Sequence, residues 1–375
     1  MKRLLLWVVA ASALLGLQVH ASYDNFHFYR AGYFFGEPRF EKNGLTTIQL
    51  SIAGGSTRTS RNCQGETVSL FDIYGPANMR VLGNGVPGKD ITTSADAALI
   101  NLSQLPANDG FAMFSLPGRF SLMEVDFNVI QNMAHGLFAQ LYVPVRRMNI
   151  CSCGLVDICP SATPEWQDFK DHFAAILARY DLSMACIKRT NVGDTTVLVG
   201  WTRNYQDTKV LDYVDTTAKI GVIINNAPAK NEDLVFDIAT GFDKHIGFPL
   251  SVDVSVGAFE WFTAGVHSGV IPFLKRSKCI RMKTDCNQSG LIKLAKGEAV
   301  VHPGPLWDVG GYLKADHLAG RLSFLFGYTF INQCAVLVCP VECQFDAIIV
   351  NSDAGLQGWR MDTINFIAEN DFSNE

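Results

Sequence analysis

The segment Leu250-Ser251-Val252-Asp253-Val254-Ser255-Val256 alternates aliphatic and polar residues without a break. Successive side chains of a β-strand point to opposite faces, so this pattern yields one apolar and one polar face. A helix would scatter the same residues around its axis. The signal recurs along the chain. Thr47-Ile48-Gln49-Leu50-Ser51-Ile52 sets Ile, Leu and Ile against Thr, Gln and Ser. Arg321–Phe330 sets Leu322, Phe324, Phe326, Tyr328 and Phe330 against Arg321, Ser323, Leu325, Gly327 and Thr329. Weaker versions occupy Glu124–Ile130, Leu137–Val145, Val197–Tyr205, Thr217–Ile224, Phe262–Val270 and Trp307–Asp316, and Gln357–Phe366 is ambiguous in phase. These are about ten strands, near the 9–11 residues that cross a membrane when tilted.

The connections sort themselves. Long segments are expected at about 56–117, 151–194, 225–247, 275–305 and 331–356. Short turns are expected at Gln131–Gly136, Phe259–Trp261 and Asp316–Gly320, with a modest connection at Gln206–Asp215. Alternation of long and short puts every long loop at one end of the strands, as in a membrane barrel. A β-sandwich imposes no such sorting. Cys63, Cys151, Cys153, Cys159, Cys186, Cys279, Cys286, Cys334, Cys339 and Cys343 all fall in the long segments. By this parity they share one side, expected to be the cell exterior.

Export is expected from the first residues. Lys2 and Arg3 precede an apolar run from Leu4 to Leu17, and Val19-His20-Ala21 follows. That is a signal peptide, residues 1–21, with cleavage expected after Ala21; an uncleaved anchor is the alternative. Residues 22–375 then form the mature chain, and no cysteine follows Ala21 to carry a lipid. An exported chain oxidises its cysteines, so loop disulfides are expected. The cysteine spacings lack the paired C-x-x-C or H-x-x-x-H pattern of a zinc site, so neither metal nor cofactor is expected. Short separations close most cheaply. Cys279 is therefore paired with Cys286, and Cys334 with Cys339 or Cys343. Cys159 takes Cys151 or Cys153, and Cys186 takes the other. Cys63 and the spare cysteine of the fifth loop would link the first and last loops.

Composition narrows the solvent. The chain is 48% hydrophobic and 18% charged, against about a quarter charged in soluble domains. No stretch after Ala21 approaches the roughly 20 apolar residues of a spanning helix. Such a chain either builds a large soluble core or turns an apolar face to lipid. A net charge of −5 leaves no basic patch for nucleic acid. On the barrel reading the lumen-facing residues are Thr47, Gln49, Ser51, Glu124, Asp126, Asn128, Lys219, Ser251, Asp253, Asp308, Lys314, Asp316 and Arg321. Their acids outnumber their bases, which favours cations. Phe248, Phe259, Trp261, Trp307, Phe330 and Trp359 fall near strand ends, where barrels carry aromatic girdles.

The long segments hold local structure. Thr163-Pro164-Glu165 opens a helical pattern through Trp166, Phe169, Phe173, Ile176 and Leu177, with Thr163 as N-cap and Pro164 at the first position. Ser94–Leu105 reads as a shorter helix, and Thr67–Ile73 as a hairpin arm above the barrel or as material folded into the lumen. No Gly-x-Ser-x-Gly elbow is present. Asp168, Asp171 and His172, and Asp243 with His245, place carboxylates near histidines, but the reading is solvated surface rather than an active site.

Ala31-Gly32-Tyr33-Phe34-Phe35-Gly36-Glu37-Pro38-Arg39-Phe40 and Gln140-Leu141-Tyr142-Val143-Pro144-Val145-Arg146-Arg147 resemble stretches of uncharacterised porin-like outer-membrane barrel proteins. The resemblance covers most of the mature chain. It implies an all-β fold: an antiparallel transmembrane β-barrel of about 10–12 strands, with long outer loops carrying short helices. It implies outer-membrane lipid and the barrel-assembly machinery as partners, and transfers no catalytic residue. The expected function is a passive channel for small solutes. The alternatives are a surface-display protein anchored by the barrel, and a soluble secreted β-sandwich. One departure stands out: such barrels end on a strand with a terminal aromatic residue, and here Phe372 is followed by Ser373-Asn374-Glu375.

Overall fold

A computed structural model describes residues 44–62, 64–80, 93–104, 111–152, 154–158, 163–206, 211–259, 261–282, 289–318, 322–341, 349–352 and 355–358. The expected signal peptide, Cys63, Cys153, Cys159, Cys286, Arg321, Cys343, Trp359 and Phe372 lie outside them.

The frame is one curled, half-barrel sheet of ten antiparallel strands. These are β1 (Thr46–Thr57), β2 (Gly118–Asn132), β3 (Leu137–Ser152), β4 (Ile187–Val192), β5 (Thr195–Gln206), β6 (Tyr213–Ile224), β7 (Leu250–Ala258), β8 (Phe262–Ile271), β9 (Leu306–Leu318) and β10 (Leu322–Gln333). Strands pair in chain order from β1 to β10, except that β4 and β5 share β3 as their partner. The expected strands are all present but longer at one or both ends. Gln357–Phe366 is the exception: its first residues belong to a small hairpin of Ile349–Ser352 with Gly355–Gly358, and the rest lies outside the described residues.

β4 and β5 behave as one strand broken by a bulge. Val145 pairs with Val192 and Tyr142 with Thr196, so Gly193, Asp194 and Thr195 oppose only Val143 and Pro144. Pro144 has no N–H to offer, and proline enters a sheet interior only at such an irregularity. Its carbonyl accepts the Gly193 N–H at 2.7 Å.

Connections alternate as expected. Residues 133–136, 207–212, 259–261 and 319–321 are short; 58–117, 153–186, 225–249 and 272–305 are long. In an antiparallel meander the long ones therefore gather at one end. His135 and Gly136 both adopt positive φ in the first short turn, as tight hairpins demand.

The second expected loop needs correction. β3 runs on to Ser152, and β4 lies inside the expected loop 151–194, so Cys151 sits in a strand. The expected loops 275–305 and 331–356 also contain strands. Arg276–Met282, Ala295–His302 and Leu337–Pro340 form a three-stranded sheet that carries Cys279 and Cys339. Thr67–Ser69 pairs with Thr59–Arg61 as a hairpin outside the large sheet.

The long loops fold together into a cap with a conventional apolar core. Helix α1 (Ser94–Gln104) packs on helix α2 (Pro164–Arg179). Trp166, Phe169 and Phe173 are buried along one face of α2, and Trp166 stacks on Phe169 at 5.4 Å. Pro164 stands at the first position after Thr163, which makes no side-chain capping bond. The core extends down to Leu122, Met148, Ile150 and Ile187, at the long-loop end of the sheet.

Candidate functional site

Away from the cap the sheet is inverted relative to a soluble protein. On β1, Ile48 and Ile52 are 72% and 67% exposed; on β10, Phe326 and Tyr328 are 73% and 71%. The opposite, concave face buries polar side chains. Glu124, Asp126, Asn128, Lys219, Ser251 and Asp308 are buried on it, while Thr47, Gln49, Asp253 and Lys314 are half-buried. Ser51 is exposed on the edge strand, yet its hydroxyl reaches Asp126 at 3.0 Å. Asp316 belongs to β9, and its side chain lies outside the described residues, as does all of Arg321.

The register explains this grouping, because directly paired residues share a face. Gln49 pairs with Asn128 and Ser51 with Asp126; Asn128 pairs in turn with Tyr142, and Glu124 with Arg146. Hydrogen bonds run along these rungs. Gln140 donates to Asn128 at 2.8 Å, Asn128 to Gln49 at 2.8 Å, and the Tyr142 hydroxyl to Asp126 at 2.8 Å. Further round the sheet, Thr217 donates to Thr202 at 2.8 Å and Tyr213 contacts Thr263 at 2.5 Å. His267 stands 3.8 Å from Asp308 and 3.2 Å from Thr329. A buried polar atom is costly unless it is hydrogen-bonded, so this ladder is what a polar concave face requires.

Arg146 is the most consequential residue that the sequence reading left off this face. Its guanidinium bonds Glu124, with side chains 8% and 0% exposed, and donates to the Thr240 carbonyl at 2.6 Å. Period-two alternation through Phe138, Gln140, Tyr142, Pro144 and Arg146 carries the signal, but the expected strand Leu137–Val145 stops one residue short of Arg146. Aromatic rings also lie flat on glycines of the adjacent strand. A Cβ at Gly257 would overlap Tyr213, and one at Gly265 would overlap Tyr312. Both pairs are direct cross-strand partners, and bare backbone under a ring lets an inward-curving face hold large side chains.

The third long loop leans on this wall. The Asp194 carboxylate, set in the bulge, accepts the backbone N–H of Ala227 at 2.9 Å and of Phe242 at 2.6 Å. With Arg146 holding Thr240, both arms of the loop 225–249 are pinned to the strands. Above it, Asp237 is bound to Arg189 at 2.5 Å, and burial nonetheless pushes its carboxyl above the ordinary aspartate range. Arg281 ties three loops together. It donates to the carbonyls of Tyr180 at 2.7 Å, Glu232 at 2.8 Å and Leu294 at 3.1 Å, and to Asp233 at 3.0 Å.

Cys186 is bonded to Cys151, one of the two partners that the spacing left open. Cys279, Cys334 and Cys339 are free thiols. Cys279, expected from spacing to pair with Cys286, is a free thiol on a strand of the cap sheet, and Cys286 lies outside the described residues. Cys334 and Cys339 likewise remain unpaired with one another, since Cys334 follows β10 and Cys339 belongs to the cap sheet.

Asp168 and His172 form an (i, i+4) contact of 3.2 Å on the outer side of α2. Asp243 bonds Lys278, whereas His245 points Nδ1 at the Leu274 carbonyl, 3.1 Å away. Among the described residues, no group of three or more His, Cys, Asp or Glu side chains could hold a metal ion. No helix of the described residues is long and apolar enough to cross a membrane, which leaves strands untouched by that test. In comparison with known proteins, the chain matches no family model and no curated sequence.

Proposed function

We propose that the chain is a porin-like outer-membrane β-barrel whose sheet closes around a polar interior and passes small solutes. The observation that carries this reading is the inversion of polarity between the two faces of the sheet. An exposed apolar face of this extent exceeds the patches that soluble monomers tolerate, whereas a lipid-facing barrel wall demands it.

The aromatic positions support the same reading. Phe259 and Trp261 are exposed at a short-turn end, and Phe248 and Phe330 at the long-loop end. Trp307 pairs with Val270 of β8 and packs on Phe330. From Trp261 to Val270 the chain climbs about 30 Å at roughly 3.3 Å per residue. A tilt near 40° reduces that to about 23 Å, close to the roughly 25 Å apolar band of outer-membrane barrels. The solute path then runs between the polar wall and the loop 225–249. Acids outnumber bases on that wall, which selects for cations.

The cap supports a second reading, surface display. The long segments share an apolar core, and the Cys151–Cys186 disulfide closes the second of them, which is more structure than a pore mouth requires. Conductance of purified protein in a planar bilayer separates the two. Stepwise, cation-selective conductance supports the channel; a sealed bilayer with folded protein supports display. Outer-membrane fractionation and heat-dependent gel migration test the barrel itself, and recovery in the soluble fraction would remove it.

A further inference from the structure

Between the third long loop and the three-stranded cap sheet lies a cleft of about 350 Å³. Small-molecule sites typically begin near this size, at about 300 Å³. Its walls bring Lys230, Arg276, Lys278 and Lys296 together with Glu232, Asp233 and Asp243. Each carboxylate already has a cation. Asp243 accepts the Lys230 N–H at 2.8 Å and the Lys278 ammonium. Asp233 takes Lys296 at 2.7 Å and Arg281, from behind the wall, at 3.0 Å. Glu232 lies 3.3 Å from the Lys230 ammonium.

Arg276 is different. It is exposed at the cleft, and its guanidinium makes no hydrogen bond or ion pair among the described residues. A guanidinium fork offers paired donors that match the oxygens of a carboxylate or phosphate. Beside it the wall is rigidly set. Asp243 and Lys244 both hold left-handed backbone, at φ 49° and 66°, and non-glycine residues persist there only where the surroundings fix them.

We infer that this cleft binds a small oxyanion solute, a phosphate or carboxylate compound, through Arg276, with Lys278 and Lys296 as supporting charges. The four cations that line the cleft exceed its three carboxylates, so an entering anion completes the balance. The site belongs to the cap and stands whether or not the barrel conducts. Cys279 lines the same cleft with an exposed thiol, which gives a direct reporter of occupancy.

The test uses the full chain in detergent. Binding of inorganic phosphate and of succinate is measured by equilibrium dialysis. In parallel, alkylation of Cys279 is followed by peptide mapping at alkaline pH, because partial desolvation at the cleft wall pushes that thiol up. Saturable binding of at least one anion, with matching protection of Cys279, is expected. Arg276→Ala should weaken it at least tenfold, Arg276→Lys should recover part, and Lys188→Ala, on an exposed position outside the cleft, should change nothing. Raising salt to about 0.5 M should weaken it further by screening. The inference is overturned if neither anion binds saturably, or if Arg276→Ala binds like the parent.

Discussion

Arg146 and Glu124 face each other across β2 and β3, bonded on the concave side of the sheet with both side chains almost wholly buried. Removing one member of a buried ion pair strands the other, at a cost of about 3–5 kcal/mol, whereas replacing both is far milder. Arg146→Met should therefore lower the unfolding temperature in detergent more than Arg146→Met with Glu124→Met. A water-filled interior would soften the single change but keep the order. Equal effects from the single and the double variant would mean that the pair does not act as a unit.

The apolar face gives the second prediction. Arginine at Val252 or Phe326 should block assembly, since a cation at mid-bilayer on a lipid-facing strand costs about 2–4 kcal/mol. Lys314→Gln, on the half-buried concave face of β9, should assemble normally. Yield of the heat-modifiable form reads both. Normal assembly of Phe326→Arg would contradict a lipid-facing β10.

The disulfide gives the third. Cys151 and Cys186 close a separation of 35 residues that contains all of α2. Loop-closure arguments assign such a bridge about 3–4 kcal/mol. Reducing the protein, or making Cys151→Ala with Cys186→Ala, should expose α2 to protease before the large sheet unfolds. A cap as resistant as before would show that the packing of Trp166 and Phe169 suffices on its own.

Acid should loosen the cap at Asp233. Burial alone would raise this carboxyl, but hydrogen bonds from Lys296 and Arg281 outweigh it and hold the group below the ordinary aspartate range. A depressed carboxyl stabilises above its unfolded value, and that contribution is lost as pH falls through the folded value. Its effect therefore fades below about pH 4. Asp237 has the opposite sign. Its raised carboxyl contributes stability that is lost as pH rises through the folded value. Asp233→Asn should flatten the acid limb of cap unfolding while Asp237→Asn leaves it, as read by tryptophan fluorescence against pH. An unchanged acid limb in Asp233→Asn would remove this account.

Much of the frame was legible because an inverted sheet writes its pattern plainly. Leu250–Val256 and Thr47–Ile52 alternate so strictly that strand, face and phase could be read together. Helix α2 announced itself through Thr163-Pro164 and its apolar spacing. Where the reading stopped short, a local rule was overridden by a partner far along the chain. The expected strand Leu137–Val145 stopped one residue short of Arg146, whereas the bulge at Gly193 and Asp194 accommodates Pro144 and the strand runs on to Ser152. The cap strands Arg276–Met282 and Leu337–Pro340 lack clean alternation, and their pairing depends on loops brought together in space.

The central claim is that the convex face of the sheet touches hydrocarbon, and tryptophan quenching by brominated lipid tests it most directly. Phe326→Trp adds a fluorophore at the middle of the exposed face of β10, and protein carrying it is reconstituted into vesicles with bromine at graded acyl depths. Quenching beyond that of the parent, strongest for the deepest bromines and weak for aqueous acrylamide, is the predicted result. Added fluorescence that acrylamide quenches freely and bromine does not would contradict it.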